Sequence, residues 1–139
     1  MVSFPKRHAI ARARFFLEQA EKCKITERDE FECYLEAAIV FGRTAYHRLK
    51  TKHEKHSTWS AWNASMKNDS TFNFFRTQRN FILKEDSPKA GQITKFSPAN
   101  RATELYYFDN PNTPAADTVR KHLEALAGII ASAEAKFAP

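Results

Sequence analysis

The run DSTFNFFRTQRNFILKED, from Asp69 to Asp86, does most to limit what this chain can fold into. A helix advances about 100° per residue, ~3.6 residues per turn. On that wheel Phe72, Phe75, Arg79, Ile82 and Leu83 share one stripe, while Phe74 and Phe81 fall on the opposite side. A helix that is apolar on two sides has neighbours on two sides, which points to a bundle. Arg79 near the centre of the stripe is the exception. An arginine held there needs a partner or a functional reason. Glu32 and Glu36 on the preceding long helix are the partners in sight, and either would lock the bundle.

The rest of the chain supplies the neighbours. Residues 5 to 23 read as a first helix, with Pro5 at its first helical position and Ala9, Ile10, Ala13, Phe16, Leu17, Ala20 and Cys23 as its stripe. A second runs from about 27 to 51, where Thr26 and Asp29 resemble a capping box. Phe31, Tyr34, Leu35, Ala38, Phe41, Gly42, Ala45, Tyr46 and Leu49 lie on one broad face of it. Its acids come early and its bases late, which complements the helix dipole. Gly42 within the stripe lets another helix come close, at a propensity cost of ~1 kcal/mol against alanine.

A short helix over 58 to 67 carries Trp59, Trp62 and Met66 on one side, as a flap on the core. The opening segment follows, capped by Asp69 or Ser70 and stopped by Glu85-Asp86-Ser87-Pro88. Prolines and Gly91 then exclude a long helix up to residue 113. Gln92 to Phe96 with Thr103 to Phe108 suits a small β-hairpin within 90–108. Thr113 and Pro114 open a last helix to residue 137, with Val119, Leu123, Leu126, Ile130, Ala133 and Phe137 aligned. The expected fold is all-α: an up-and-down bundle of four main helices plus one short helix, forming a single domain over 1–139.

Composition narrows the class. Twelve phenylalanines and only three glycines among 139 residues argue for a packed core and against a Gly-rich nucleotide fold. No run approaches the ~20 apolar residues of a membrane span, and the arginine-rich start is no secretory signal. Cys23 and Cys33 read as reduced core cysteines, so the chain is expected to be cytoplasmic. The net charge of +6 allows an anionic partner.

Candidate chemistry is sparse. There is no Gly-x-Ser-x-Gly and no P-loop. His53 and His56 sit in the basic run KTKHEKH, which repels a cation, so they read as a solvated helix end and no metal or cofactor is expected. His8 and His122 border apolar stripes and read as packed or capping residues. Arg43, His47 and Lys50 line one outer face and, with Arg76, form the candidate phosphate-binding set. Trp59, Trp62, Tyr106 and Tyr107 are the candidate lining of a small-molecule pocket.

FGRTAYHRLK on the second helix, Trp62, FFRTQRNFILKE and ELYYF before a final amphipathic helix together give a pattern that resembles the HEPN-like helical-bundle superfamily of prokaryotes. The resemblance spans most of residues 10 to 137. It implies a helical bundle, often a cytoplasmic homodimer. Active members are metal-independent ribonucleases whose motif is Arg, about four to six residues of which the first is commonly polar, then His. Arg79 and Asn80 match its start, but Lys84 stands near the histidine position and no His lies between Arg76 and Lys121. Lysine does not exchange protons near neutral pH as imidazole does. The expectation is therefore a dimeric, non-catalytic module that binds RNA or a protein partner. The alternatives are a ribonuclease or toxin using Arg79, Asn80 and Lys84, and a small-molecule-binding bundle.

Overall fold

A computed structural model describes residues 8–24, 26–85, 91–92, 106–108, 110 and 112–138, with the backbone alone for 80–85, 92 and 106. Its elements, in chain order, are α1 (Ala9–Lys22), α2 (Arg28–His53), α3 (Trp59–Ser65), α4 (Ser70–Glu85), β1 (Gly91–Gln92), β2 (Tyr106–Tyr107) and α5 (Ala115–Phe137). The fold is an all-α bundle. The described strand pairing is two residues on each side, Gly91 opposite Tyr107 and Gln92 opposite Tyr106, antiparallel. The rest of the expected hairpin lies outside the described residues.

Helix directions follow from which residues meet. The start of α1, at Ala9 and Ile10, lies beside Ala45 and Leu49 near the end of α2. Tyr46 meets Phe72, and Phe75 lies against Gly42 four positions earlier on α2, so α4 runs against α2. Arg14 and Glu21 of α1 pair with Glu124 and Arg120 of α5 in reverse order. Lys52 and His53, at the end of α2, meet Glu134 near the end of α5. Up, down, up, down is the resulting order for α1, α2, α4 and α5.

The core is the apolar stripes turned inward. Leu17, Phe31, Ile39, Phe75, Val119 and Leu123 are sealed from water. Phe41, Tyr34 and Phe16 sit only half-buried, with the Phe16 and Phe41 rings stacked at 5.6 Å. Close packing of α4 on α2 depends on Gly42: a Cβ there would lie 2.7 Å from Phe75 Cδ1. The two-sided character of α4 has a direct cause. Phe72 and Phe75 are buried toward α2, and Phe74 stacks on His122 of α5 at 4.3 Å.

Helix ends differ from expectation in detail. His8 caps α1, its Nδ1 accepting from Ala11 N at 3.1 Å; Pro5 lies outside the described residues. The N-cap of α2 is Glu27, without a side-chain cap bond, so the Thr26–Asp29 box does not form. Glu27 instead turns back and accepts from Lys24 N at 3.0 Å. Asp69 caps α4, accepting from Thr71 N and Phe72 N. On α5 the cap is Pro114, not Thr113, and the helix begins one residue later.

Two further expectations are corrected. Cys33 is exposed, while Cys23 is buried. Cys33 stands two residues from both Phe31 and Leu35, about 200° round the helix from each, hence on the outer face. His53 is no solvated end: its ring is mostly covered, meets Glu134 at 2.9 Å and lies 5.4 Å from the Phe137 ring. Among the described residues no helix is long and apolar enough to cross a membrane.

Candidate anion-binding cleft

Between α2 and the start of α4 the surface opens into a cleft of about 280 Å³. Tyr46 and Phe72 contribute its aromatic lining, and Arg43, Lys67 and Arg76 contribute positive charge. Asn63 and Asn73 add amides, and among the described residues no Asp or Glu lines it. Several of these side chains are held by their neighbours. The Arg43 guanidinium lies 4.4 Å from the Tyr46 ring centroid, in cation–π geometry. Tyr46 in turn directs its hydroxyl to Asn63 Oδ1 at 2.7 Å. Arg76 is exposed and donates to Asn73 Oδ1 at 2.7 Å, one turn back on α4.

Electrostatics at the cleft run one way. Burial lowers the pKa of the half-buried Arg43; Tyr46 opposes that shift, while Arg76 and Arg79 add to it by repulsion. A guanidinium stays charged regardless; the shift records first the cost of half-burying it and then, more weakly, the repulsion of Arg76 and Arg79. His47, at the rim, is pushed below its ordinary 6.5 by partial burial, then by the charges of Arg43, Arg79 and Lys50. Imidazole so placed is neutral at pH 7, and an arriving anion favours its protonation.

Arg79 thus acts on both Arg43 and His47 across the α2–α4 seam, with Arg76 adding to Arg43 and, within α2, Lys50 adding to His47. Arg79 is half-buried rather than sealed in the core. It belongs to none of the ion pairs between described residues, so the expected lock to Glu32 or Glu36 is not among them. The side chains of Asn80 and Lys84 lie outside the described residues.

Trp59 and Trp62 lie apart from the aromatic group beside Tyr107, and the Tyr106 side chain is outside the described residues. Trp59 is 4 % exposed, packed with Leu49, Ala133 and Phe137. Trp62 meets Phe72 and Phe137. Beside Tyr107, Phe108 lies 5.1 Å from Phe74, which stacks on His122. His122 and Phe137 are about 22 Å apart along α5 at ~1.5 Å per residue, so the two aromatic groups attach to different parts of that helix. Among the described residues no group of three or more His, Cys, Asp or Glu is placed to hold a metal.

Tyr46, Asn63, Lys67 and Asn73 were not visible as site residues. Tyr46 read as core, though its place three residues after Arg43 was the available signal for their stacking. Asn73 likewise stands three before Arg76. Lys67 carries no local signal, because the turn that brings it to the cleft is a tertiary feature. Comparison of the chain with protein-family models, with curated proteins and with solved structures finds no match.

Proposed function

We propose that this protein is a non-catalytic RNA-binding module that works through the cation-lined seam between α2 and α4. One observation supports this most: the charges acting on Arg43 and His47 across the seam are those of other cations. Packing cations side by side costs free energy in the free protein, and a phosphate backbone relieves it while releasing counterions. Arg43, His47, Lys50 and Arg76 are the phosphate contacts in this proposal, with Arg79 beside them. A homodimer of HEPN-like bundles belongs to the same proposal and rests on the sequence resemblance; light scattering showing only monomer would remove it.

Single-stranded RNA titrated at increasing salt tests the function. The association constant should fall steeply between about 50 and 200 mM salt, with a log–log slope near −0.7 per phosphate contact. Arg43→Ala should weaken binding about tenfold and reduce that slope. No measurable binding at low salt ends the proposal.

A second reading, metal-independent RNA cleavage around Arg79, has one observation in its favour. Helix α4 lacks the motif histidine, but His47 of α2 lies close enough to Arg79 to feel its charge. A histidine kept neutral at pH 7 is in the state a general base needs. Cleavage of RNA under chelator that disappears in both Arg79→Ala and His47→Gln would establish it and displace the non-catalytic reading.

A further inference from the structure

The cleft is lined with hydrogen-bond donors more strictly than its charge alone requires. Arg76 donates to Asn73 Oδ1, and arginine has no acceptor, so the Asn73 amide is fixed with its carbonyl on Arg76. Its NH2 group is left for other partners. The Asn63 Oδ1 accepts from the Tyr46 hydroxyl; a hydroxyl also accepts, so this bond alone does not orient the amide as Arg76 orients Asn73. Arg43, Arg76 and Lys67 carry donors only. Among its described lining residues the cleft therefore combines three cations and two amides, that of Asn73 oriented by Arg76, with no carboxylate.

This set suits a group with more charge than one linkage of a nucleic-acid strand. An internal phosphodiester carries a single negative charge. A terminal phosphate monoester carries about −1.5 to −2 at pH 7 and three strong acceptor oxygens. About 280 Å³ is room for such a phosphate with its sugar. Arg79, Lys50 and the titratable His47 lie beside the cleft rather than in its lining.

Resting on the RNA-binding proposal, the geometry points to the cleft as a subsite for a phosphate monoester at the end of an RNA strand. Arg43, Lys67 and Arg76 neutralise the terminal group, and Asn63 and Asn73 donate to its oxygens. The next phosphates of the strand run toward Arg79, His47 and Lys50. Specificity for an end follows from charge and donor count, with no base read.

One short single-stranded RNA, prepared with a 5′ phosphate, with a 3′ phosphate, or with hydroxyls at both ends, tests this by fluorescence anisotropy. A phosphorylated form should bind about tenfold tighter than the hydroxyl form, as charge-assisted hydrogen bonds imply. The form that gains identifies the end recognised. Arg76→Gln and Lys67→Gln should each remove most of that gain, while His47→Gln and Lys50→Gln weaken all three forms by a common factor. Lys67 is exposed in the turn before α4, so Lys67→Gln keeps the test sound should Arg76→Gln unfold. Equal affinity for the three RNAs overturns the terminal-phosphate subsite and leaves RNA binding standing. No binding of any of them overturns both.

Discussion

The seam that α5 makes with α1 and α2 and the seam between α2 and α4 treat their cations in opposite ways. Along α5, Arg14 meets Glu124, Arg120 meets Glu21, and Lys52 and His53 share Glu134. Between α2 and α4, Arg43 and His47 feel Arg79 and further cations. The first seam is neutralised from within the chain. The second leaves its charge facing the cleft. In a protein of net charge +6, the location of the unneutralised share says more about function than its size.

Charge opposes the close approach of α4 to α2, so that seam has to be held by packing. The largest effect should come from removing that packing. Phe75 is 1 % exposed, and Phe75→Ala should cost about 3–5 kcal/mol in denaturant unfolding. A cost under about 1 kcal/mol would show that packing is not what holds the seam. Gly42→Ala comes next. The added methyl overlaps the Phe75 ring. Overpacking at roughly 1–3 kcal/mol outweighs the ~1 kcal/mol gain in helix propensity, so the variant should be the less stable. A stability gain would mean that α4 yields easily.

The pH response should separate the seams again. His47 has a folded pKa below 6.5. The unfolded chain then takes up more protons in the window just below 6.5, and stability rises with pH there. Bound phosphate reverses the preference, so RNA affinity should rise as pH falls through that window. His47→Gln should flatten the rise. Glu134 titrates lower: burial pushes its pKa up, but the bonds from His53 and Lys52 prevail and hold it below the ordinary 4.5. Its contribution is present above pH 4.5 and is lost as pH falls through the depressed value. Glu134→Gln should remove that part of the acid sensitivity and leave RNA binding unchanged.

The smallest effect belongs to the exposed pair on the neutralised seam. The side chains of Arg14 and Glu124 are 40 % and 52 % exposed. Glu124→Gln should change stability by less than about 1 kcal/mol, less still at high salt. A larger loss would mean that the α5 seam depends on charge.

Much of the bundle was legible because its periodicity is local. The stripes of α1 and α5 recur in the buried faces, and the Phe74 side of α4 meets its own neighbour. Ile39, buried on α2, was outside the expected face because Tyr34, Phe41 and Tyr46 pulled the stripe toward the aromatic side. Caps were harder to read. Thr26 looks like a better N-cap than Glu27, yet Glu27 takes the position and turns its carboxylate to Lys24. The basic face of α2 could be read from spacing. Its meeting with α4, and the amides that line the cleft, depend on how helices pack, and no local pattern records that.

The most direct test is the titration of His47 followed by NMR, in free protein and with single-stranded RNA added at low salt. The account predicts a pKa below 6.5 in the free protein, rising on RNA addition as phosphate replaces water beside the cations. A pKa unchanged by saturating RNA would contradict it, placing any bound strand away from the α2–α4 seam.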